Sequence, residues 1–443
     1  MAPLFLCSPI WDNGSRKRKA MVKKSTSGNL RGYLGKLGPG IITGAADDDP
    51  SGIVTYAIAG AQSGFGLLWM AVVSFPLMTA VQEMCARIGI VTSQGLAGLM
   101  RQRYNRAFVY VLAALAIGAN TVNIGADLLG MASATALLVP IPEIVLALVF
   151  AVVIVALVIF LPYKLIARYL KWVSLALFAY IAAAIVSRPD WRDVLVSTVK
   201  PSLVFDKQTI VVMVAVLGTT ISPYLFFWQA SEEAEEREVK SRFRFLRRIV
   251  TRNDLKQMRG DVRLGMFFSN LVMYFIIVNA GAVFHAHGVS ELTTAGQVAS
   301  SLEPLAGPFA SLLFMIGIIG TGLLAIPVLA GSTAYILTEA LGLTEGLNKK
   351  FHEAKAFYGT IIVATAVGFL MGFAGWNAVA VLFASAVIYG TISPPLILVI
   401  LDIANSRAIM GNKVNTVWQN VFGTAAFLVV TLAALAMLVS EFV

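Results

Sequence analysis

Charge is scarce in this chain. Only 13% of its 443 residues are Asp, Glu, Lys or Arg, against about 25% in soluble globular chains. Together with 58% hydrophobic residues, that shortage excludes an ordinary water-soluble domain. Imidazole and thiol groups are equally rare, with three histidines and two cysteines. His285 and His287 are near neighbours and His352 stands apart, so no imidazole cluster of the zinc type is available. Cys7 and Cys85 sit in contexts that do not suit a disulfide, and both are expected to be free thiols. No nucleophile–base pair stands out, which argues against a membrane-embedded enzyme. The dyad alternation of a membrane β-barrel is missing. So is a signal peptide: Met1 to Ile10 has no basic start and runs into Asn13-Gly14-Ser15 and a basic stretch.

Long apolar runs are what the chain does have. They fall at 37–62, 66–91, 107–138, 142–162, 169–187, 209–232, 263–285, 309–341, 357–374, 377–402 and 415–440. About 20 residues suffice for a helix to cross a bilayer, so these eleven runs read as an all-α integral membrane protein. No linker divides the chain into soluble domains. The longest polar stretch, Glu232 to Arg263, starts acidic and turns basic, the order of a solvated helical extension with i,i+4 pairs.

The net charge of +10 raises the question of nucleic acid, but its distribution answers it. With a cytoplasmic N-terminus and alternating spans, only Arg188, Arg192, Lys200 and Lys207 of the 34 Lys and Arg fall on the far side. The near side holds Arg16 to Lys24, Arg101 to Arg106, Lys164 to Lys171, Arg237 to Arg263, Lys349 to Lys355, Arg407 and Lys413. This positive-inside bias puts the C-terminus outside a cell membrane. The basic tail over 1–36 suits anionic lipid, and no nucleic-acid partner is required.

Asp47-Asp48-Asp49-Pro50-Ser51-Gly52 interrupts the first apolar run with three adjacent carboxylates. An ionisable group at the bilayer centre costs about 2.5–3.5 kcal/mol on insertion scales, so a cluster there needs compensation, and a bound cation supplies it. Pro50 and Gly52 would also open the helix and free backbone carbonyls. A matching interruption lies five spans on, where Ser222-Pro223 follows Leu217-Gly218. An odd number of intervening spans inverts the second half relative to the first. Paired interrupted helices in inverted halves point to a secondary-transporter site. Asn120, Thr121, Asn123 and Asp127 add polar groups to the third run, and Ser385, Tyr389, Thr391 and Ser393 to the tenth. The glycines from Gly317 to Gly331 read as packing positions.

These residues resemble the NRAMP (natural resistance-associated macrophage protein) divalent-metal transporters over nearly the whole chain. The likeness runs through Leu37-Gly38-Pro39-Gly40 to Gly52, Gln82-Glu83, Ala86-Arg87-Ile88-Gly89, Asn279, Ala282 to His285 and Leu302 to Leu305. It implies a LeuT-type fold of about 11 helices, with inverted five-helix repeats at about 37–187 and 209–402 and an additional helix at 415–443. It also implies an ion site where the first and sixth spans break.

The departures from the family pattern are as informative. Its metal aspartate falls on Asp49, but its asparagine falls on Gly52. Its sixth-span Met-Pro-His reads Ser222-Pro223-Tyr224, and its second histidine reads Gln229. Losing the thioether leaves oxygen donors, which suit Mg²⁺ better than soft transition metals. Losing both histidines, and the third-span acidic pair near Thr121 and Ile124, removes groups that titrate near neutrality. This pattern is similar to the divergent branch of NRAMP-related magnesium transporters. The resulting expectation is an importer of hydrated Mg²⁺, with Mn²⁺ accepted, that is not proton-coupled. Asp49, Asp48, Asp47, Thr219 and Ser222 would hold the ion. Gly52, Tyr224, Gln229, Thr121, Asn120 and Asp127 would line its path. No cofactor beyond the transported ion and no obligate protein partner are expected. Two alternatives stay open: a proton-coupled Mn²⁺ or Fe²⁺ importer using Asp127, and a sodium-coupled symporter of an organic solute.

Overall fold

Asp49 and Ser222 each stand immediately before a proline, and at both places the helix stops and restarts. The computed structural model describes residues 38–161, 165, 175–201, 206–242 and 250–440. The tail over 1–36 with Cys7, and the basic residues Lys164, Arg168 and Lys171, lie outside the described residues.

All regular structure among the described residues is helical. The first interrupted span comprises α1 (Pro39–Asp47) and α2 (Pro50–Ser63). Next come α3 (Trp69–Thr92), the short α4 (Leu96–Arg103), α5 (Arg106–Ala136), α6 (Glu143–Phe160), α7 (Phe178–Val186) and α8 (Trp191–Val199). The second interrupted span is α9 (Lys207–Thr220) with α10 (Pro223–Arg242). It is followed by α11 (Arg252–Val283), the short α12 (Ala295–Ser300) and α13 (Glu303–Ala306), and α14 (Ala310–Leu341). The chain closes with α15 (Lys355–Leu370), α16 (Ala378–Asn405), the short α17 (Arg407–Met410) and α18 (Val417–Ser440). Nine stretches among the described residues are long and apolar enough to cross a membrane. The expected first run, whose halves hold 9 and 14 residues, is not among them, and the fifth, 169–187, starts outside the described residues.

Proline chemistry explains both splits. A proline lacks the N–H of the helix ladder and pushes its predecessor out of the helical region. Asp48 accordingly ends α1 at φ −86°, ψ 60°, and Asp49 is extended at φ −72°, ψ 170°. Ile221 leaves the helix at φ −114°, ψ 59°. Pro50 and Pro223 then occupy the first position of the restarting helices, where no N–H is needed.

The broken pairs lie at the centre. α1 and α2 pack on α11, α9 on α16, α10 on α3, and α5 on α14. Small residues allow close approach: a Cβ on Gly218 would fall 2.1 Å from the Ala386 carbonyl oxygen. α6, α15 and α18 sit outside and present apolar side chains outward, such as Val152 at 60% exposure and Leu432 at 64%. Outward apolar faces of this extent are lipid-facing surfaces. The polar stretch from Glu232 differs from the expected solvated extension. Its first part continues α10 into the protein, where Glu232 and Glu233 are buried.

Candidate functional site

Asp49 begins the site as the cap of α2. Its Oδ1 accepts the Gly52 N–H at 2.7 Å and the Ser51 hydroxyl at 2.9 Å, a capping arrangement that fixes the carboxylate at the break. Its Oδ2 accepts the Asn123 side-chain amide of α5 at 2.7 Å. Asn123 is held in turn by the Ser385 hydroxyl of α16 at 2.6 Å. Three helices therefore orient one carboxylate.

Its two neighbours turn elsewhere. The Ser269 hydroxyl of α11 donates to Asp47 and lies 3.4 Å from the Asp48 carboxylate. Asp47 Oδ1 has no partner. The three adjacent aspartates thus fan out, because the last residue of a helix, its terminus and the next helix's cap point in different directions. No group of three or more His, Cys, Asp or Glu side chains converges on a metal position among the described residues.

The second break closes over the first. Ser222 donates to the Thr219 carbonyl at 2.6 Å. The Ser393 hydroxyl of α16 reaches the Ile221 carbonyl at 3.0 Å. Tyr224 donates to the Ala46 carbonyl at 2.8 Å, joining the start of α10 to the end of α1. Gly52 permits the approach of α9 to α2: a Cβ there would lie 3.0 Å from Thr219 Oγ1 and 3.3 Å from Asp49 Oδ1. The Tyr224 ring meets Tyr389 at 5.6 Å between centroids, and Tyr389 donates to Asn120 at 3.0 Å. Toward the face that carries the basic residues, Thr43 reaches Gln229 at 2.6 Å, and Gln229 donates to Glu233 at 3.2 Å.

Most of the expected residues meet here. Asp47, Asp48, Asp49, Gly52, Thr219, Ser222, Tyr224, Gln229 and Asn120 all belong to this one network of contacts. Thr121 does not. Its hydroxyl returns to the Ile117 carbonyl and its backbone packs on Gly368 of α15, because one residue along a helix turns the side chain by about 100°. Asp127 lies one turn beyond Asn123 on α5. It is fully buried, and neither carboxylate oxygen is hydrogen-bonded. Thr43 and Ser269 escaped sequence reading; the available signal was a hydroxyl residue alone on an apolar helix face.

The donors gathered at the two breaks are oxygen atoms: carboxylates, hydroxyls and the carbonyls that end α1 and α9. The negative ends of those two helix dipoles point at the same place. Such an arrangement favours a cation. Asp48 is the most exposed residue of the acidic cluster at 4%, so the site is closed to both faces and a hydrated ion enters only if the half-helices move.

A family model described as natural resistance-associated macrophage protein-like matches residues 40–440. The chain is 26% identical to the divalent metal cation transporter MntH of Granulibacter bethesdensis, over 93% of this chain and 90% of that protein. It is 28% identical to the MntH of Deinococcus radiodurans over 69% and 70% respectively. Among solved structures, the Eremococcus coleocola manganese transporter superposes with a TM-score of 0.71 at 20% identity, covering 93% of this chain and 87% of that one. MhsT in complex with L-phenylalanine superposes with a TM-score of 0.63 at 13% identity, over 90% and 98%.

Proposed function

The chain belongs to the natural resistance-associated macrophage protein-like (Nramp) family, and from that premise we propose that its cargo is hydrated Mg²⁺, with Mn²⁺ accepted, carried by alternating access without a coupled proton. It is a multi-pass divalent-metal transporter of the LeuT-type fold and not an enzyme. One observation carries the proposal about the ion: every donor brought to the two breaks is oxygen. Ser222 stands where a thioether would select softer metals. Mg²⁺ takes one or two carboxylates and keeps several waters. That suits Asp49 as the principal ligand, direct or through water, with Asp47 and Asp48 supplying field. The Thr219 carbonyl and the Ser222 hydroxyl would complete the site.

The energetics permit an uncoupled carrier. One charge moved through 100 mV is worth about 2.3 kcal/mol, so a divalent ion gains about 4.6 kcal/mol, enough for roughly thousandfold accumulation. The positive-inside bias supports a cytoplasmic N-terminus and an outside C-terminus. The two breaks support repeats at about 37–187 and 209–402, with 415–443 outside them.

The test is flux into liposomes holding a Mg²⁺ indicator and a pH dye under an inside-negative potential. Mg²⁺ entry without acidification, abolished by Asp49→Ala, is the expected result. Retained Mg²⁺ entry in that variant would remove Asp49 from the site. A second reading, a proton-coupled Mn²⁺ importer, is favoured by Asp127, whose buried carboxyl lacks a hydrogen-bond partner. Internal acidification that tracks metal entry and disappears in Asp127→Asn would replace the first reading with the second.

A further inference from the structure

The amino end of α1 has no cap of its own. Gly38 precedes it without a side chain, and the first N–H groups of any helix lack intrahelical acceptors. Asp261, on α11 and 221 positions away in sequence, fills that role by accepting the Gly40 N–H at 2.7 Å. Its carboxylate occupies the turn so fully that a Cβ on Gly38 would stand 2.2 Å from Asp261 Oδ2. A carboxylate there also meets the positive end of the α1 dipole.

Between that cap and the Ser269–Asp47 hydrogen bond at its other end, the α1–α11 contact is a close backbone approach. A Cβ on Gly40 would lie 2.6 Å from the Val262 nitrogen, and one on Gly44 2.3 Å from the Gly265 carbonyl carbon. Such close backbone approach leaves little room for side chains over this part of the seam, so polar ties help hold α1 down. Three of them, Thr43 to Gln229, Tyr224 to Ala46 and Ser269 to Asp47, belong to the ion site. Asp261 is the tie that lies outside it. The acidic cluster is closed to both faces, and α1, nine residues long, covers it on the side of the basic residues.

We propose that Asp261 is a positioning residue that latches α1 shut over the ion site by capping its amino end, and that release of this cap opens the site to the basic face. The proposal rests on reading the two breaks as the ion site. It names no particular metal.

Hydrogen–deuterium exchange of the full-length protein in liposomes, read without added metal, tests the latch whichever ion is carried. Asp261→Ala should speed exchange of residues 38–47 roughly tenfold, the scale of a lost helix cap, and leave α11 protected. Asp261→Asn keeps an acceptor and should return exchange toward wild type. In Mn²⁺ uptake, Asp261→Ala should raise the apparent KM several-fold without lowering the maximal rate, because fewer molecules face outward. Unchanged exchange at 38–47 would overturn the latch. So would exchange rising equally through α11, which would mark Asp261 as a fold-holding residue only. A fall in maximal rate with KM unchanged would overturn it as well. Failure of Mg²⁺ entry in wild-type liposomes would instead strike the cargo reading and leave the exchange result intact.

Discussion

Asp49 and Asp127 are both buried carboxylates near the start of α2, yet their surroundings differ. Asp49 receives three donors, from Ser51, Gly52 and Asn123, while Asp127 receives none. A carboxylate fixed by donors is preorganised for a cation, since its orientation is settled before the ion arrives. Across from it, on the proposed reading, Ser222 would set which ions suit the site. Ser222→Met would restore a soft donor and should shift the Mn²⁺ over Mg²⁺ preference by roughly tenfold, about 1.4 kcal/mol of differential binding. Competition uptake in liposomes reads this directly, and unchanged selectivity would mean that cavity shape governs the choice. At this scale the sequence was informative where chemistry is local. Aspartates and a serine beside prolines in apolar runs led to Asp49 and Ser222 without coordinates. Ser269, Thr43 and Asp261 were not legible, because their partners lie across the fold and only packing brings them together.

Not every proline in an apolar helix breaks it. Pro76 in α3, Pro327 in α14 and Pro394-Pro395 in α16 leave their helices continuous. Pro50 and Pro223 follow Asp49 and Ser222, whose side chains bond to nearby backbone and stabilise a stop. Phe75 and Ile326 offer no such group. Ser393 does, yet it reaches back to the Tyr389 carbonyl at 2.7 Å much as Ser222 reaches back to Gly218 at 3.1 Å, and α16 still runs on. The Asp49-Pro50 pairing, with its cap on the Gly52 N–H, was therefore readable as a break, whereas proline alone or after a serine was not. The connection from α14 to α15 shows the opposite limit, since nothing in its sequence announces how it docks. Glu235 of α10 accepts the Leu347 N–H at 3.0 Å, and Tyr358 donates to the Lys349 carbonyl at 2.8 Å. Within this connection, burial, followed by the nearby Glu339 carboxylate, pushes the Glu345 carboxyl up from 4.5 to about 8. A raised carboxyl holds its proton in the folded state after the unfolded chain has lost it. The contribution of this one group to stability is therefore fully present below pH 4.5 and is lost as pH rises toward 8. The apparent melting temperature should fall over that interval, and Glu345→Gln should flatten the slope.

Across the whole molecule, eleven apolar runs and one-sided basic residues anticipated the class, and the matched breaks anticipated the fold. The ties between distant helices were beyond sequence reading. Arg87 of α3 donates to Gln419 of α18 and to Asn415 just before that helix. Glu83 of α3 accepts from Gln419 at 3.1 Å and from Arg263 of α11 at 2.6 Å. α18 is thus wired to the turn of α11 that also carries Asp261. Its other faces meet lipid, with Trp418 at 71% exposure near one end and Leu432 at 64% further along. At 24 residues it is about 36 Å long, against a hydrocarbon core of about 30 Å, so its tilt depends on bilayer thickness. A change of tilt would reach α3 through the Gln419 bonds and, by way of Glu83 and Arg263, α11. Uptake should therefore vary with acyl-chain length in liposomes of graded thickness, and Gln419→Ala should weaken that dependence. Bilayer thickness would then be an input to the proposed gate, and the same polypeptide would run at different speeds in membranes that differ only in lipid length.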